Sequence, residues 1–340
     1  MNTDELLKQL QDWTNRVPLI ILGSGASIIF GLPSMWTLGD HIKKNISFTD
    51  SDDQKQFENF KSLFDINGDL EVTLSKIQLR QNVLDQIVFK TWELVNKFDL
   101  EAYEKFIVDS IDFPLSKLTE YLLSTTSKKL SIVTTNYDRL AEYAASFSKA
   151  IICTGYSQSF IGHFSNAIHQ NPLTTIKGYS GQVNIWKVHG SLDWFKTNND
   201  ENIQLPLRHN IPSNCKPSIV TPGLSKYFET HNEPYRTIFA QADSEIETAN
   251  GFLCIGYGFN DIHVQPKLIE KIKSKPIIII TKELTPKTKQ SILSGNCKQY
   301  IMMEEVNGTD TKIYSSSFGE HIIPNVSYWT LAEYLKLIIL

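Results

Sequence analysis

The stretch Leu19-Ile20-Ile21-Leu22-Gly23-Ser24-Gly25-Ala26-Ser27, followed by Gly31-Leu32-Pro33, decides how the rest of the chain is read. Four apolar residues end abruptly in a glycine turn. A run so short and so rich in Ile and Leu is the mark of a strand buried on both faces of a parallel sheet. Glycines just beyond its carboxyl end let the backbone approach a ligand closely and leave N–H groups that can hold phosphate. The spacing is not Gly-x-Gly-x-x-Gly, so the turn gains meaning only in company with other segments.

Outward from this turn, short apolar runs alternate with helical patterns. Residues 130–134, 150–152, 183–188, 217–220, 252–255 and 276–280 read as strands; 138–147, 233–248 and 261–273 read as helices. This alternation predicts an α/β fold, a Rossmann-like doubly wound parallel sheet. Between the first two strands the chain is predominantly helical. Its clearest piece is 74–98, where Ile77, Leu84, Ile87, Val88, Trp92, Val95 and Phe98 recur at helical spacing. Asp112-Phe113-Pro114 opens a further helix, proline being tolerated in a first turn. Residues 1–38 and 130–340 are therefore expected to form the Rossmann-like domain, with 39–129 as a helical insertion. Segments 156–181 and 196–216 lack periodicity and read as long loops. The tail 328–340 reads as an amphipathic helix packed on the domain or on a neighbouring subunit.

Bulk properties narrow the function classes. The 340 residues are 41% hydrophobic and 21% charged, an ordinary globular balance. A net charge of -4 gives no basic footprint, so no direct nucleic-acid binding is expected. No apolar run approaches the ~20 residues of a membrane span, and the amphipathic N-terminus does not read as a secretory signal. The four cysteines, Cys153, Cys215, Cys254 and Cys297, lie far apart with no Cys-x-x-Cys pair. That argues against a zinc module and for reduced thiols, buried at Cys153 and Cys254. The expected compartment is the cytoplasm, with no membrane contact and no metal.

Four segments fall just past predicted strands. They are Gly23-Ser24-Gly25-Ala26-Ser27, Thr134-Thr135-Asn136-Tyr137-Asp138, His189-Gly190-Ser191 and Gly256-Tyr257-Gly258-Phe259-Asn260-Asp261. Ligands of open parallel sheets bind outside the carboxyl ends of the strands, so these segments should converge.

In this order the blocks resemble the sirtuin-like family. Its core carries a Gly-Ala-Gly-[Ala/Ile]-Ser turn, Gly-[Ile/Leu]-Pro, Thr-[Gln/Thr]-Asn-x-Asp, His-Gly and a late glycine-rich NAD turn. The likeness covers residues 17–281 in scattered blocks. Two departures stand out. Deacylating sirtuins have Asp-Phe-Arg after the proline, whereas Pro33 precedes Ser34-Met35-Trp36, and the four-cysteine zinc module is missing. The Thr-Thr-Asn-Tyr-Asp form, Lys187-Val188-His189-Gly190-Ser191 and the Gly-Tyr-Gly-Phe-Asn-Asp form resemble a divergent bacterial branch. That branch is associated with NAD cleavage in anti-phage defence, some members working beside a HerA-type ATPase and others beside Argonaute-like proteins.

The resemblance implies an NAD+ glycohydrolase that takes NAD as substrate and yields nicotinamide and ADP-ribose. Asn136 would hold a ribose hydroxyl or a water beside the anomeric carbon. His189 would accept a proton. Asp138 would hold the carboxamide or offset positive charge, with a helix cap as its plain alternative. Gly23, Ser24, Gly25, Ala26, Ser27, Pro33, Thr135, Gly190, Gly256, Tyr257 and Gly258 would line the nucleotide. Trp194-Phe195 reads as core or interface, Asp261 and His263 as structural, and His163, His169, His209 and His231 receive no role. A homo-oligomer controlled by a defence partner, a HerA-type ATPase foremost, is expected. The rivals are an NAD-dependent protein deacylase, disfavoured by the two departures, and a non-catalytic NAD or ADP-ribose sensor. A nuclease would need a carboxylate cluster for metals that the sequence lacks.

Overall fold

Leu19–Leu22 forms strand β1, and all four of its side chains are buried. They part between two cores: Ile20 and Leu22 join one, Leu19 and Ile21 the other. The period of two thus explains an unbroken apolar run, because both faces of the sheet are covered. The computed structural model describes residues 3–108, 111–125, 127–165, 177–220, 232–261 and 264–339.

Helix α1 (Thr3–Asn15) precedes β1, and helices α2 (Gly25–Ile28), α3 (Met35–Asn45), α4 (Ser51–Asn67), α5 (Leu70–Ser75), α6 (Gln81–Val108) and α7 (Pro114–Ser124) follow it. Next come β2 (Lys129–Thr134), α8 (Leu140–Phe147), β3 (Ile151–Cys153), β4 (Gly162–His163), β5 (Gln182–Lys187), β6 (Gly190–Thr197), β7 (Asn202–Gln204) and β8 (Cys215–Ile219). The chain continues through α9 (Tyr235–Thr248), β9 (Phe252–Ile255), α10 (Gln265–Lys271), β10 (Ile277–Ile280) and α11 (Pro286–Leu293). It ends with β11 (Tyr300–Val306), β12 (Asp310–Ser315), β13 (Gly319–Ile323) and α12 (Leu331–Ile338).

The main sheet has the order β13-β12-β11-β10-β9-β1-β2-β5-β3. Strands β11 through β3 run parallel, while β12 and β13 add an antiparallel edge. The doubly wound parallel sheet is therefore present, extended by a meander that the sequence reading did not include. Strand β13 is mostly exposed, so it carries no apolar signature.

A second, antiparallel sheet, β4-β7-β6-β8, corrects two expectations. The strand read at 217–220 pairs here rather than in the main sheet, and 196–216 is partly strand. The first six residues of β6 are all buried, which hides the alternation that would have revealed a half-exposed antiparallel strand. Trp194 and Phe195 are core residues.

Helices α3 to α7 share one apolar core with a face of the main sheet, and Trp92 Nε1 of α6 donates to Leu192 O of β6 at 2.7 Å. The helix expected at 74–98 is broken after Ser75. At the break Arg80 pairs with Asp50 and Asp53, each at 2.9 Å, tying the turn to the start of α4. The C-terminal helix α12 packs on α1 and α7, with Tyr334 Oη 2.6 Å from Thr14 Oγ1.

Val188 and His189 alone separate β5 of the main sheet from β6 of the second, which starts at Gly190. Gly190 has φ +83°, and a Cβ there would stand 2.0 Å from Ser218 O. Gly190→Ala is therefore expected to cost at least about 1–3 kcal/mol, seen as a lower urea midpoint. An unchanged midpoint would show that the crossing between sheets relaxes freely.

Candidate active site

Strands β9, β1, β2 and β5 are neighbours, and their registers end together: Leu22 faces Ile255 on one side and Thr134 on the other, and Thr134 faces Lys187. The four segments singled out in the sequence consequently leave the sheet side by side along one edge.

The two glycine turns touch backbone to backbone. Gly23 N–H donates to Ile255 O and Gly25 N–H to Gly256 O, both at 3.1 Å. A Cβ on Gly23 would meet Gly256 O at 2.4 Å, and one on Gly256 (φ +57°) would meet Ala26 N at 2.2 Å. The N–H groups of Ala26 and Ser27 close onto Gly23 O and Ser24 O. The amides of Gly23, Gly25, Ala26 and Ser27 are thus engaged within the fold, and the glycines serve the close packing of one turn on the other. Ser24 is exposed; Gly25, Ala26, Pro33 and Thr135 are half-buried. Gly258 O accepts from Thr285 Oγ1 at 2.7 Å, and Tyr257 is buried with a hydroxyl that has no hydrogen-bond partner.

From this contact a hydrogen-bonded chain runs to β2. Asn136 Nδ2 donates to Gly23 O at 2.9 Å and to Ser27 Oγ at 3.0 Å. Ser27 Oγ donates to Asp138 Oδ2 at 2.7 Å, and Asp138 Oδ1 accepts from Leu140 N, opening α8. Asp138, the residue before the N-cap Arg139, therefore braces the start of α8 and belongs to the cluster at once. With both amide hydrogens engaged, Asn136 keeps its side-chain carbonyl as the group that can address a ligand. Burial pushes the Asp138 carboxyl up from the ordinary range, with the charge of Lys187 opposing.

His189 is buried, its Nε2 2.9 Å from Asp261 Oδ2 but without the alignment of a hydrogen bond. Asp261 Oδ1 accepts from Val264 N at 3.0 Å, which fixes the carboxylate beside the ring. Asp261, read from sequence as structural, thus also positions His189. Of the histidines given no role, His163 and His209 are exposed, while His169 and His231 lie outside the described residues, as do His263 and part of 156–181.

Two further side chains were not legible as site residues. Lys187 is fully buried; its ammonium bonds the main-chain carbonyl of Asp138 and pairs with Glu142 at 3.1 Å. Burial pushes the Glu142 carboxyl up to about 7, against the pull of Lys187. A lysine inside an apolar strand-end run was the available signal. Among the described residues no group of three or more His, Cys, Asp or Glu is placed to hold a metal ion, and no helix is long and apolar enough to cross a membrane. Cys153 and Cys254 are buried free thiols.

The raised Glu142 carboxyl has a consequence for stability. Between its ordinary 4.5 and about 7 the folded state holds a proton that the unfolded chain has released. Stability therefore falls as pH rises through that window, and the raised Asp138 acts in the same direction. Glu142→Gln cannot ionise, so its stability should gain on wild type as pH rises from 4.5 to about 7 in urea titrations. A difference that stays constant across the window would show Glu142 ionised throughout.

The SIR2-like domain family matches residues 130–277, a span that includes Asn136, Asp138, His189 and the Gly256 turn but not the Gly23 turn. No curated protein sequence matches the chain. Among solved structures the chain is similar to a Sir2 homologue described as an NAD complex, at 15% identity over 89% of this chain and 88% of that one, with a TM-score of 0.46. A structure described under the mechanism and regulation of Sir2 enzymes shares 15% identity over 88% and 91%, TM-score 0.43. A mutant Sir2 homologue in complex with ADP-ribose shares 14% identity over 86% and 93%, TM-score 0.45.

Proposed function

We propose that the protein is an NAD+ glycohydrolase whose site is the strand-end cluster of Asn136, Ser27, Asp138 and His189. One observation carries this reading. The Asn136–Ser27–Asp138 hydrogen-bond chain and the Asp261-backed His189 stand on adjacent strand ends beside the interlocked glycine turns. His189 Nε2 faces the Asp261 carboxylate at 2.9 Å, and the buried Tyr257 hydroxyl lies in the neighbouring glycine turn.

In the reaction the C1′–N1 bond of the nicotinamide ribose breaks, its electron pair passing to the pyridinium nitrogen. Water forms the new bond to C1′ and gives up a proton. The pyridinium is already a good leaving group, so the protein has to orient the ribose and the water and to offset developing cationic charge. Asn136 suits the first task through its free side-chain carbonyl. His189 suits acceptance of the proton that the water gives up, with the Asp261 carboxylate 2.9 Å from its Nε2 holding the ring. The departure from a deacylase sequence pattern at Ser34-Met35-Trp36 supports hydrolysis over acyl transfer. Anti-phage defence in the cytoplasm, self-association and restraint by a partner ATPase belong to the same proposal, since unrestrained NAD destruction harms the host.

The test follows nicotinamide release from NAD+ by the purified protein, with no peptide added. Wild type should release nicotinamide, and Asn136→Ala and His189→Ala should each lose roughly 100-fold or more. Asp261→Asn should lower the rate less than His189→Ala does, because it removes the carboxylate charge 2.9 Å from His189 Nε2 but leaves the imidazole in place. Release that depends on an acyl-lysine peptide would make the protein a deacylase. Tight NAD binding with no cleavage, even with a HerA-type ATPase added, would make it a sensor.

A further inference from the structure

Tyr137 stands between Asn136 and Asp138 in the chain, and its own contacts lead elsewhere. Asn136 and Asp138 both bond Ser27, on the β1 side of the cluster. Tyr137 instead reaches the segment that carries His189. Its hydroxyl donates to Val220 O at 2.6 Å, and the Val220 N–H donates to His189 O at 2.9 Å. Its main-chain carbonyl accepts from Leu192 N of β6 at 3.1 Å. Tyr137 and Val220 are buried, at 6% and 1% exposure.

A short path therefore joins the two residues assigned to the chemistry. It runs from Asn136 across one peptide bond to Tyr137, through the phenol to Val220, and through one main-chain hydrogen bond to His189. The phenol is the side-chain link in that path. Burial pushes it above its ordinary range, with the charges of Glu71 and Asp261 adding, so the hydroxyl stays protonated and remains a donor. The ring itself belongs to the apolar core, so the hydroxyl can be removed while the ring still fills its place. Breaking the C1′–N1 bond needs the Asn136 carbonyl and the His189 ring in one fixed relation, and small misplacements of such groups cost rate.

We propose that Tyr137 is a positioning residue of the strand-end site, its hydroxyl fixing the main chain of His189 relative to Asn136 through Val220. The kinetic consequence rests on the glycohydrolase reading above; the geometric coupling does not.

Tyr137→Phe removes the hydroxyl and keeps the ring. Tyr334→Phe is its control, because it removes another buried hydroxyl, 2.6 Å from Thr14 Oγ1, between α12 and α1 and outside the cluster. With NAD+ as substrate, Tyr137→Phe should lower kcat for nicotinamide release roughly tenfold or more and leave KM within about threefold. Tyr334→Phe should keep the wild-type kcat. NMR of the histidine rings in the full chain gives a second readout, the His189 resonance being identified by its loss in His189→Ala. Tyr137→Phe should shift or broaden that resonance, and Tyr334→Phe should leave it in place. A hydroxyl that serves stability alone would lower the urea midpoint in both variants and move neither kcat nor the resonance. An unmoved His189 resonance in Tyr137→Phe overturns the proposal, as does a kcat that stays at the wild-type level or falls equally in Tyr334→Phe. If the wild type releases no nicotinamide, the glycohydrolase reading falls, and the His189 resonance alone decides whether Tyr137 positions that residue.

Discussion

The contact between the Gly23–Gly25 backbone and Gly256 is the constraint on which the site depends. A side chain on Gly23, Gly25 or Gly256 would stand within 3 Å of backbone on the opposite turn. Because the turns meet without side chains, the carboxyl ends of β1 and β9 remain as close beyond the sheet as within it. That fixes Gly23 O, which receives the Asn136 amide, and Ser27, which bridges Asn136 to Asp138. Each later link inherits its position from this one. Backbone-to-backbone packing is also stiff, since no rotamer can relax it.

Buried charge fastens the other side of the cluster. Arg139 is held by Asp99 of α6, whose carboxylate also accepts from Tyr143 Oη at 2.6 Å. Lys187 spans from the end of β5 to the Asp138 carbonyl and to Glu142 of α8. The loop bearing Asn136 and Asp138 is therefore gripped from the insertion helices, from β5 and from α8 at once. Losing either partner of the Arg139–Asp99 pair would strand a charge in the interior, which costs more than the pair itself contributes. Helix α6, between β1 and β2, thus helps hold the cluster, although its sequence carries no ligand motif.

Much of this was legible in the chain. The apolar runs at 19–22, 130–134, 252–255 and 276–280 are short, β-rich and ended by polar or glycine residues, so period and length agreed. Their parallel order then brought the four motif segments together as expected. What stayed hidden had no periodic signal. Strand β6 is buried along most of its length, β13 is largely exposed, and β4 and β7 are two or three residues long. The partners Asp99, Lys187, Glu142 and Asp261 lie far apart in sequence and meet through folding alone. Single charged residues among apolar ones hint at burial without naming a partner.

The glycine turn shows how one pattern can carry two physical meanings. Glycine after a strand permits both a phosphate cradle of free amides and the close passage of another backbone. Sequence cannot separate these, since both need a missing Cβ. Here the amides of Gly23, Gly25, Ala26 and Ser27 have carbonyl partners within the fold. Exposed Ser24 and the half-buried Thr135 offer hydroxyls at this edge. The glycines therefore act by holding two strand ends together tightly enough for Asn136 to reach both Gly23 O and Ser27 Oγ.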